Sequence, residues 1–179
     1  ENFYWSTGLE TTCEPFDNVK TWTGTKGNGL FTDANNWFPI GVPESSHDVI
    51  LDNSNVDQTY EVQYTGSSDL EANSITILPQ DASSAITLEL KSADDSKIKL
   101  TLHDDISPLT VSDYGVLINS MVSENEAIHT PSGKIILEEE AKYVHNTSSG
   151  HTDILKNIAL EDETIPGTIE FSIPAFVSL

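Results

Sequence analysis

Six consecutive residues, DNSNVD at 52–57, concentrate side-chain oxygens that could bind a metal ion. Calcium takes six to eight oxygen ligands from carboxylates, amide carbonyls and the backbone. The segment matches neither the EF-hand loop nor the glycine-rich nonapeptide repeat of calcium-binding solenoids, so it also suits an ordinary polar turn. We predict one structural calcium as the only cofactor, with the ligands Asp52, Asn53, Asn55 and Asp57.

Paired carboxylates are the second feature with chemical potential, because two of them can hydrolyse a glycosidic bond. Adjacent acids occur at 94–95, 104–105, 138–140 and 161–163. The chain carries 29 acidic residues, so such pairs are expected by composition alone and are typical of a solvated face. We therefore predict a protein without catalytic residues, and we keep a β-helix polysaccharide lyase or hydrolase as a third alternative.

The five histidines show no spacing typical of a metalloenzyme. His145 and His151 lie six positions apart with Asp153 nearby, so a loop could bring them to one metal, although histidines in polar loops are more often solvated. β-Helix lyases commonly use Arg or Lys as the base, and this chain has no Arg. No Ser-His-Asp context and no nucleotide-binding loop accompany these histidines.

Charge excludes several classes of partner. The net charge is −21, and all eight basic residues are lysines. Such a surface repels nucleic-acid phosphates and anionic membranes. No apolar stretch is long enough to span a bilayer, so we expect neither nucleic-acid binding nor membrane insertion. Cys13 is the single cysteine, which excludes an internal disulfide.

Short β-strands must position all of these residues. Apolar and β-branched residues alternate in segments bounded by Gly, Ser, Asp and Pro, which is the strand pattern. Helical periodicity is nearly absent: 123–128 is the best helix candidate, and 153–160 fits either type. We predict a single all-β domain over 1–179, with strands at 47–52, 60–64, 73–78, 84–90, 96–102, 108–112, 114–120, 133–144 and 167–173.

Two all-β architectures fit these strands, a parallel β-solenoid and an antiparallel β-sandwich. A sandwich favours Asn-Gly or Asp-Gly hairpin turns between strands. The sequence has one Asn-Gly, at 28–29, and no Asp-Gly. Gly115, Gly133 and Gly167 each precede an alternating apolar strand, at separations of 18 and 34 residues, as expected of coil corners. We therefore predict a right-handed parallel β-solenoid.

A motif near the N-terminus points the same way. The segment TWTGTKGNGLFTDANNWFPIGVPESSHDVIL combines W-x-G, a short Gly/Asn loop, N-W, G-x-V-P and D-x-V-I. It resembles the opening of secreted surface proteins of Bacteroidetes, and FYW at 3–5 is similar to their YYWVGG start. In that family the motif opens a parallel β-helix of adhesin-like proteins. The matching residues are Trp22, Gly24, Asn36, Trp37, Gly41, Val42, Pro43, Asp48, Val49 and Ile50.

A solenoid needs its first coil closed, and this motif has the residues to close it. We predict an N-terminal cap over 1–46 and solenoid coils over 47–179. Trp22 and Trp37 should cover the apolar interior, with their indole N–H groups bonded to backbone or Asn oxygens. The four glycines at 24, 27, 29 and 41 should adopt positive φ. The alternative is that Trp22 and Trp37 are exposed and stack on the rings of a glycan.

The resemblance implies an extracellular location on a bacterial cell surface. We expect a non-catalytic surface module serving as an adhesin, a stalk or a fibre component. The main alternative is a carbohydrate-binding module attached to a polysaccharide-degrading enzyme. The expected partners are an extracellular glycan, other copies of the chain or other surface proteins.

Overall fold

The computed structural model describes residues 18–123, 126–130, 134–149, 157–158 and 167–172. Strands dominate this part of the chain and form three sheets, here named A, B and C. Sheet A contains, in spatial order, β12 (Ile135–Leu137), β9 (Leu109–Val111), β6 (Ser74–Leu78), β3 (Asp48–Asp52), β1 (Val19–Trp22) and β2 (Trp37–Phe38). Sheet B contains β14 (Thr168–Phe171), β13 (Lys142–His145), β10 (Gly115–Ser120), β7 (Ile86–Ser92) and β4 (Tyr60–Gly66). Sheet C contains β11 (Ile128–His129), β8 (Leu100–Leu102) and β5 (Leu70–Ala72), and short 3-10 helices occupy Ala34–Asn36 and Ala82–Ser84.

The chain visits the three sheets in turn. It runs β3-β4-β5, then β6-β7-β8, then β9-β10-β11, and each strand pairs in parallel with the strand one coil earlier. Among the described strands, only β1 and β2 pair antiparallel. The result is a parallel β-solenoid of about five turns. This confirms the predicted solenoid and excludes the antiparallel sandwich.

The strand register reveals a repeat of about 26 residues. Asp48 pairs with Ser74 in sheet A, and Lys142 pairs with Thr168 in sheet B, 26 positions on in both cases. Gly115 and Gly167 occupy the same corner two coils apart. A Cβ at either position would lie 2.8 Å from a backbone oxygen, so only glycine fits there. Gly133 lies outside the described residues and precedes β12 of sheet A, so its spacing of 18 did not measure a coil.

The core is a set of stacked apolar rows inside the coils. In β7, Ile86, Leu88 and Leu90 are fully buried, while Thr87 and Glu89 between them are half-buried. The register aligns each inward residue with one from the next coil. Burying one such side chain contributes about 1.5–3 kcal/mol, so stacking the coils is the main source of stability.

Most predicted strands exist close to their predicted positions, and one needed correction. The segment 133–144 was predicted as one strand but contains two, β12 and β13, because the polar residues 138–140 form a turn. The amide of Ala141 donates to the carbonyl of Glu138 across this turn, at 3.0 Å. The helix candidate 123–128 is wrong at its end, since Ile128 begins β11. Most of 153–160 lies outside the described residues, and its Ile158 makes a parallel bridge to Ile135.

The N-terminal segment is continuous with the coils. β1 already pairs in parallel with β3, with Val19 beside Asp48 and Thr21 beside Ile50. The predicted boundary near residue 46 therefore falls between two hydrogen-bonded strands of sheet A.

Candidate functional site

Both tryptophans predicted for the cap are buried. Trp22 is 2% exposed and Trp37 is 1% exposed. Their rings meet edge to face with centroids 5.0 Å apart, and Phe31 packs on Trp37 at 4.8 Å. The indole N–H of Trp37 donates to the carbonyl of Phe31 at 2.7 Å. The prediction of a structural cap is confirmed, and neither ring offers a face on which a sugar could stack.

The loop around these rings is organised by Asn36, which is fully buried. Its side-chain oxygen accepts from the amide of Lys26 at 3.0 Å, and its side-chain nitrogen donates to Asn28 and to the carbonyl of Leu30. One amide group thus satisfies loop backbone that has no sheet partner. The four predicted cap glycines all have positive φ, as expected.

The predicted calcium segment forms a turn that ties coils together. The side-chain oxygen of Asn53 accepts from the amide of Gln80 at 2.9 Å. Asp52 accepts from both the amide and the hydroxyl of Ser54, and Asn55 donates to the carbonyl of Trp22. Asp57 is exposed. These bonds give the segment a structural role, and calcium binding there stays a prediction.

The carboxylate runs lie mainly in turns. Asp94 and Asp95 both have positive φ, at 49° and 56°, in the connection between β7 and β8. Residues 138–140 form the exposed turn between β12 and β13, and 161–163 lie outside the described residues. Across the residues that the structure describes, no group of three or more His, Cys, Asp or Glu side chains is placed to hold a metal ion.

The buried phenols are poor candidates for acid–base chemistry. Burial, aided by the nearby Asp52 carboxylate, raises the pKa of Tyr60 far above its usual value. Burial also raises the pKa of Tyr143, although a hydrogen bond from Asn119 opposes the effect. Both hydroxyls therefore stay protonated at neutral pH and serve as hydrogen-bond donors, as when Tyr60 donates to the carbonyl of Asp52 at 2.8 Å.

Sheet C brings together polar residues that are far apart in sequence. Its strands place Glu71, Thr101 and His129 side by side on the outer face, one from each of three successive coils. Their sequence neighbours in these strands are buried, so the alternation directs these three side chains outward. Neighbouring strands lie about 4.8 Å apart, so the row spans about 10 Å.

A concavity of about 470 Å³ lies at one edge of this row. Its polar side chains include two of the eight lysines of the whole chain. Ile98 forms part of its floor and is 2% exposed. The lining residues are Asp69, Lys97, Ile98, Lys99, Ser123, Glu126 and His129.

Several of these side chains are held in place by hydrogen bonds. The Asp69 carboxylate accepts from the backbone amide of Lys99 at 2.9 Å. Glu126 contacts Nδ1 of His129 through one oxygen and accepts from the side-chain nitrogen of Asn157 through the other. Glu126 therefore fixes the imidazole orientation, with Nε2 on the opposite side of the ring.

A second concavity, of about 430 Å³, adjoins the first, and Asp69 lines both. Its polar groups include the carboxylates of Glu44 and Glu71 and the hydroxyl of Ser45. We call the two together the sheet C groove. Its second part is lined by Thr32, Val42, Pro43, Glu44, Ser45, Tyr64, Ser68, Asp69, Leu70 and Glu71.

The sheet C groove was not predicted from the sequence. Asp69 and His129 lie 60 positions apart and meet only because the coils place them on neighbouring strands. The usable signal was the coil repeat, since Leu70 pairs with Leu100 and Leu100 with Ile128. Aligning the sequence at that interval would have placed the lysines, carboxylates and His129 on one face.

Comparison with known proteins finds no matching family model, no matching curated protein and no matching solved structure. The resemblance to secreted surface proteins therefore stays a prediction. Within the described ranges, none of the helices is long and apolar enough to cross a membrane.

Proposed function

We propose that this protein is a non-catalytic module of an extracellular bacterial surface protein, acting as a stalk, a fibre component or an adhesin. The observation that supports it most is the difference between the two ends of the stack. The N-terminal end is covered by the buried tryptophans Trp22 and Trp37. At the other end β14 presents inner-facing residues to solvent.

The exposure of β14 follows from its register. Phe171 pairs with the fully buried His145 and so belongs to the inner row, yet it is 46% exposed. Its ring lies 5.5 Å from that of His145. β14 also lies at the edge of sheet B, so its outer backbone edge has no partner among the described strands. A parallel edge with an apolar inner row suits the stacking of another coil.

The experiment is sedimentation velocity over a range of protein concentrations, with negative-stain electron microscopy of the largest species. Moderate salt should be present, because the charge of −21 repels approaching copies until it is screened. We expect association that rises with protein and salt concentration, and linear particles one solenoid wide.

A matched pair of variants locates the contact. Phe171→Asp puts a charge in the inner row and should abolish association. Thr168→Asp changes an exposed residue of the same strand and should leave association intact. A wild-type protein that stays monomeric under all conditions, or an equal loss in both variants, counts against the proposal.

A second candidate, carbohydrate binding, is favoured by the sheet C groove. The groove is polar, lies on the side of the solenoid and does not involve β14. A surface module could therefore combine stacking at its end with ligand binding on its flank.

A further inference from the structure

We infer that the sheet C groove binds an uncharged, extended glycan through its hydroxyl groups. This inference deepens the carbohydrate-binding candidate and does not depend on stacking at β14. Trp22 and Trp37, the residues first considered for sugar binding, take no part in it, because both are buried. The groove residues are the carboxylates of Asp69 and Glu71, the ammonium of Lys99 and the imidazole of His129.

The mixture of charge signs selects an uncharged ligand. Carboxylates only accept hydrogen bonds, lysine ammonium groups only donate them, and a sugar hydroxyl does both. Asp69, Glu71 and Glu126 alternate with Lys97, Lys99 and His129 along the groove. A polyanion would meet the carboxylates, and a polycation would meet the lysines. A chain of neutral hydroxyl groups finds a complementary partner at every position.

The shape of the groove favours a chain over a single sugar. It extends across β5, β8 and β11, and its two parts share Asp69. Strands spaced about 4.8 Å apart present chemically similar groups at regular steps along the solenoid axis. A ligand with its own repeat along one direction uses these steps, whereas a compact monosaccharide uses only one.

The groove is also largely organised before a ligand binds. Glu126 holds His129, and the amide of Lys99 holds Asp69. Within the described part of the chain the ammonium of Lys99 forms no ion pair, so it keeps its donors for a ligand. Side chains that are already ordered lose less entropy on binding.

The experiment is NMR titration of the ¹⁵N-labelled protein with defined hexasaccharides. The neutral probes are cellohexaose, xylohexaose, mannohexaose and laminarihexaose. Hexagalacturonate is the anionic probe, and the hexamer of glucosamine is the cationic one. We expect at least one neutral probe to shift amide resonances of β5, β8 and β11, and to bind more tightly than either charged probe.

Two matched pairs of variants test the site. Lys99→Ala should weaken binding of the neutral probe about tenfold, since it removes a charged hydrogen-bond donor. Lys91→Ala removes a lysine from the exposed outer face of sheet B and should change the Kd less than twofold. Glu71→Gln and Glu61→Gln form the second pair, in the groove and on sheet B respectively. A thermal melt of each variant shows that it is folded.

The outcomes separate clearly. Tighter binding of a charged probe than of every neutral one overturns the choice of ligand. Shifts that cluster outside sheet C, or equal losses in Lys99→Ala and Lys91→Ala, overturn the site. No binding of any probe overturns the inference as a whole, while leaving the stacking proposal to its own sedimentation test.

Discussion

The N-terminal cap and the last described strand close the same stack of sheets in opposite ways. In the cap, Trp22 and Trp37 are nearly inaccessible and the loop around them is bonded through Asn36. In β14, the inner-row residue Phe171 is almost half exposed. The sequence spends its special residues where the interior is covered, and uses ordinary strand residues where it is not.

The interior changes between these two ends as well. In the inner row that begins at Tyr64, Leu90 is followed by Asn119, then by His145 and Phe171. Asn119 and His145 are both fully buried, and the hydroxyl of Tyr143 lies 3.0 Å and 3.1 Å from their side-chain nitrogens. Aliphatic packing thus gives way to a polar cluster in the later coils. Burying polar groups stabilises less than burying aliphatic ones.

The largest expected effect comes from exchanging the aromatic residues of the two ends. Trp37→Ala should lower the free energy of unfolding by about 3–5 kcal/mol, because it removes a buried ring and its hydrogen bond to Phe31. Phe171→Ala should cost about 1 kcal/mol or less, because much of its ring is already in water. Urea denaturation of both variants measures the difference. Equal losses would show that the two ends are closed to the same degree.

How much of this contrast the sequence predicts depends on the range of the interactions. The cap was predictable because Trp22, the glycines and Trp37 lie within 20 positions, and each residue type has a local role. The strands were predictable from alternation, except where the polar residues 138–140 hide a turn within an apparently continuous segment.

The coil register was harder to predict. The coil length varies: sheet B repeats at 26 residues between β4 and β7, but Ile86 pairs with Gly115, 29 positions on. Insertions between strands change the spacing without disturbing the inner row. The sheet C groove depends on that register, since Lys99 and His129 become neighbours only through it. Its residues carry no local pattern of their own.

An intermediate effect is expected from the cap amide. Asn36→Ala should cost about 1–3 kcal/mol, because it leaves the amide of Lys26 and the carbonyl of Leu30 without their partner. Asn35→Ala is the matched control: Asn35 is exposed, and its side chain bonds only to that of Asp33. Urea denaturation again gives the comparison. If both variants lose the same free energy, the aromatic rings hold the cap without help from the loop.

The smallest effect is a pH dependence confined to the turns. The amide and side chain of Asn35, together with the side chain of Asn28, donate to Asp33 and hold the pKa of its carboxyl below the usual 3.8. A carboxyl whose pKa is lower in the folded state stabilises the fold above its unfolded pKa, and this contribution disappears as the pH falls through the folded value.

Asp33→Asn tests this directly, because Asn caps a helix about as well as Asp and only the charge is lost. We expect the wild type to melt at a slightly higher temperature than the variant at pH 6, and the gap to close as the pH falls below 3.8. Asp81→Asn should behave in the same way, since hydrogen bonds from Ser83 and Ser84 lower the pKa of Asp81 at the second 3-10 helix. Tryptophan fluorescence, followed through the melt at each pH, measures both variants. A gap for Asp33→Asn that stays constant down to low pH would mean that the carboxylate stabilises the cap by geometry alone, and that its charge adds nothing to the closed end.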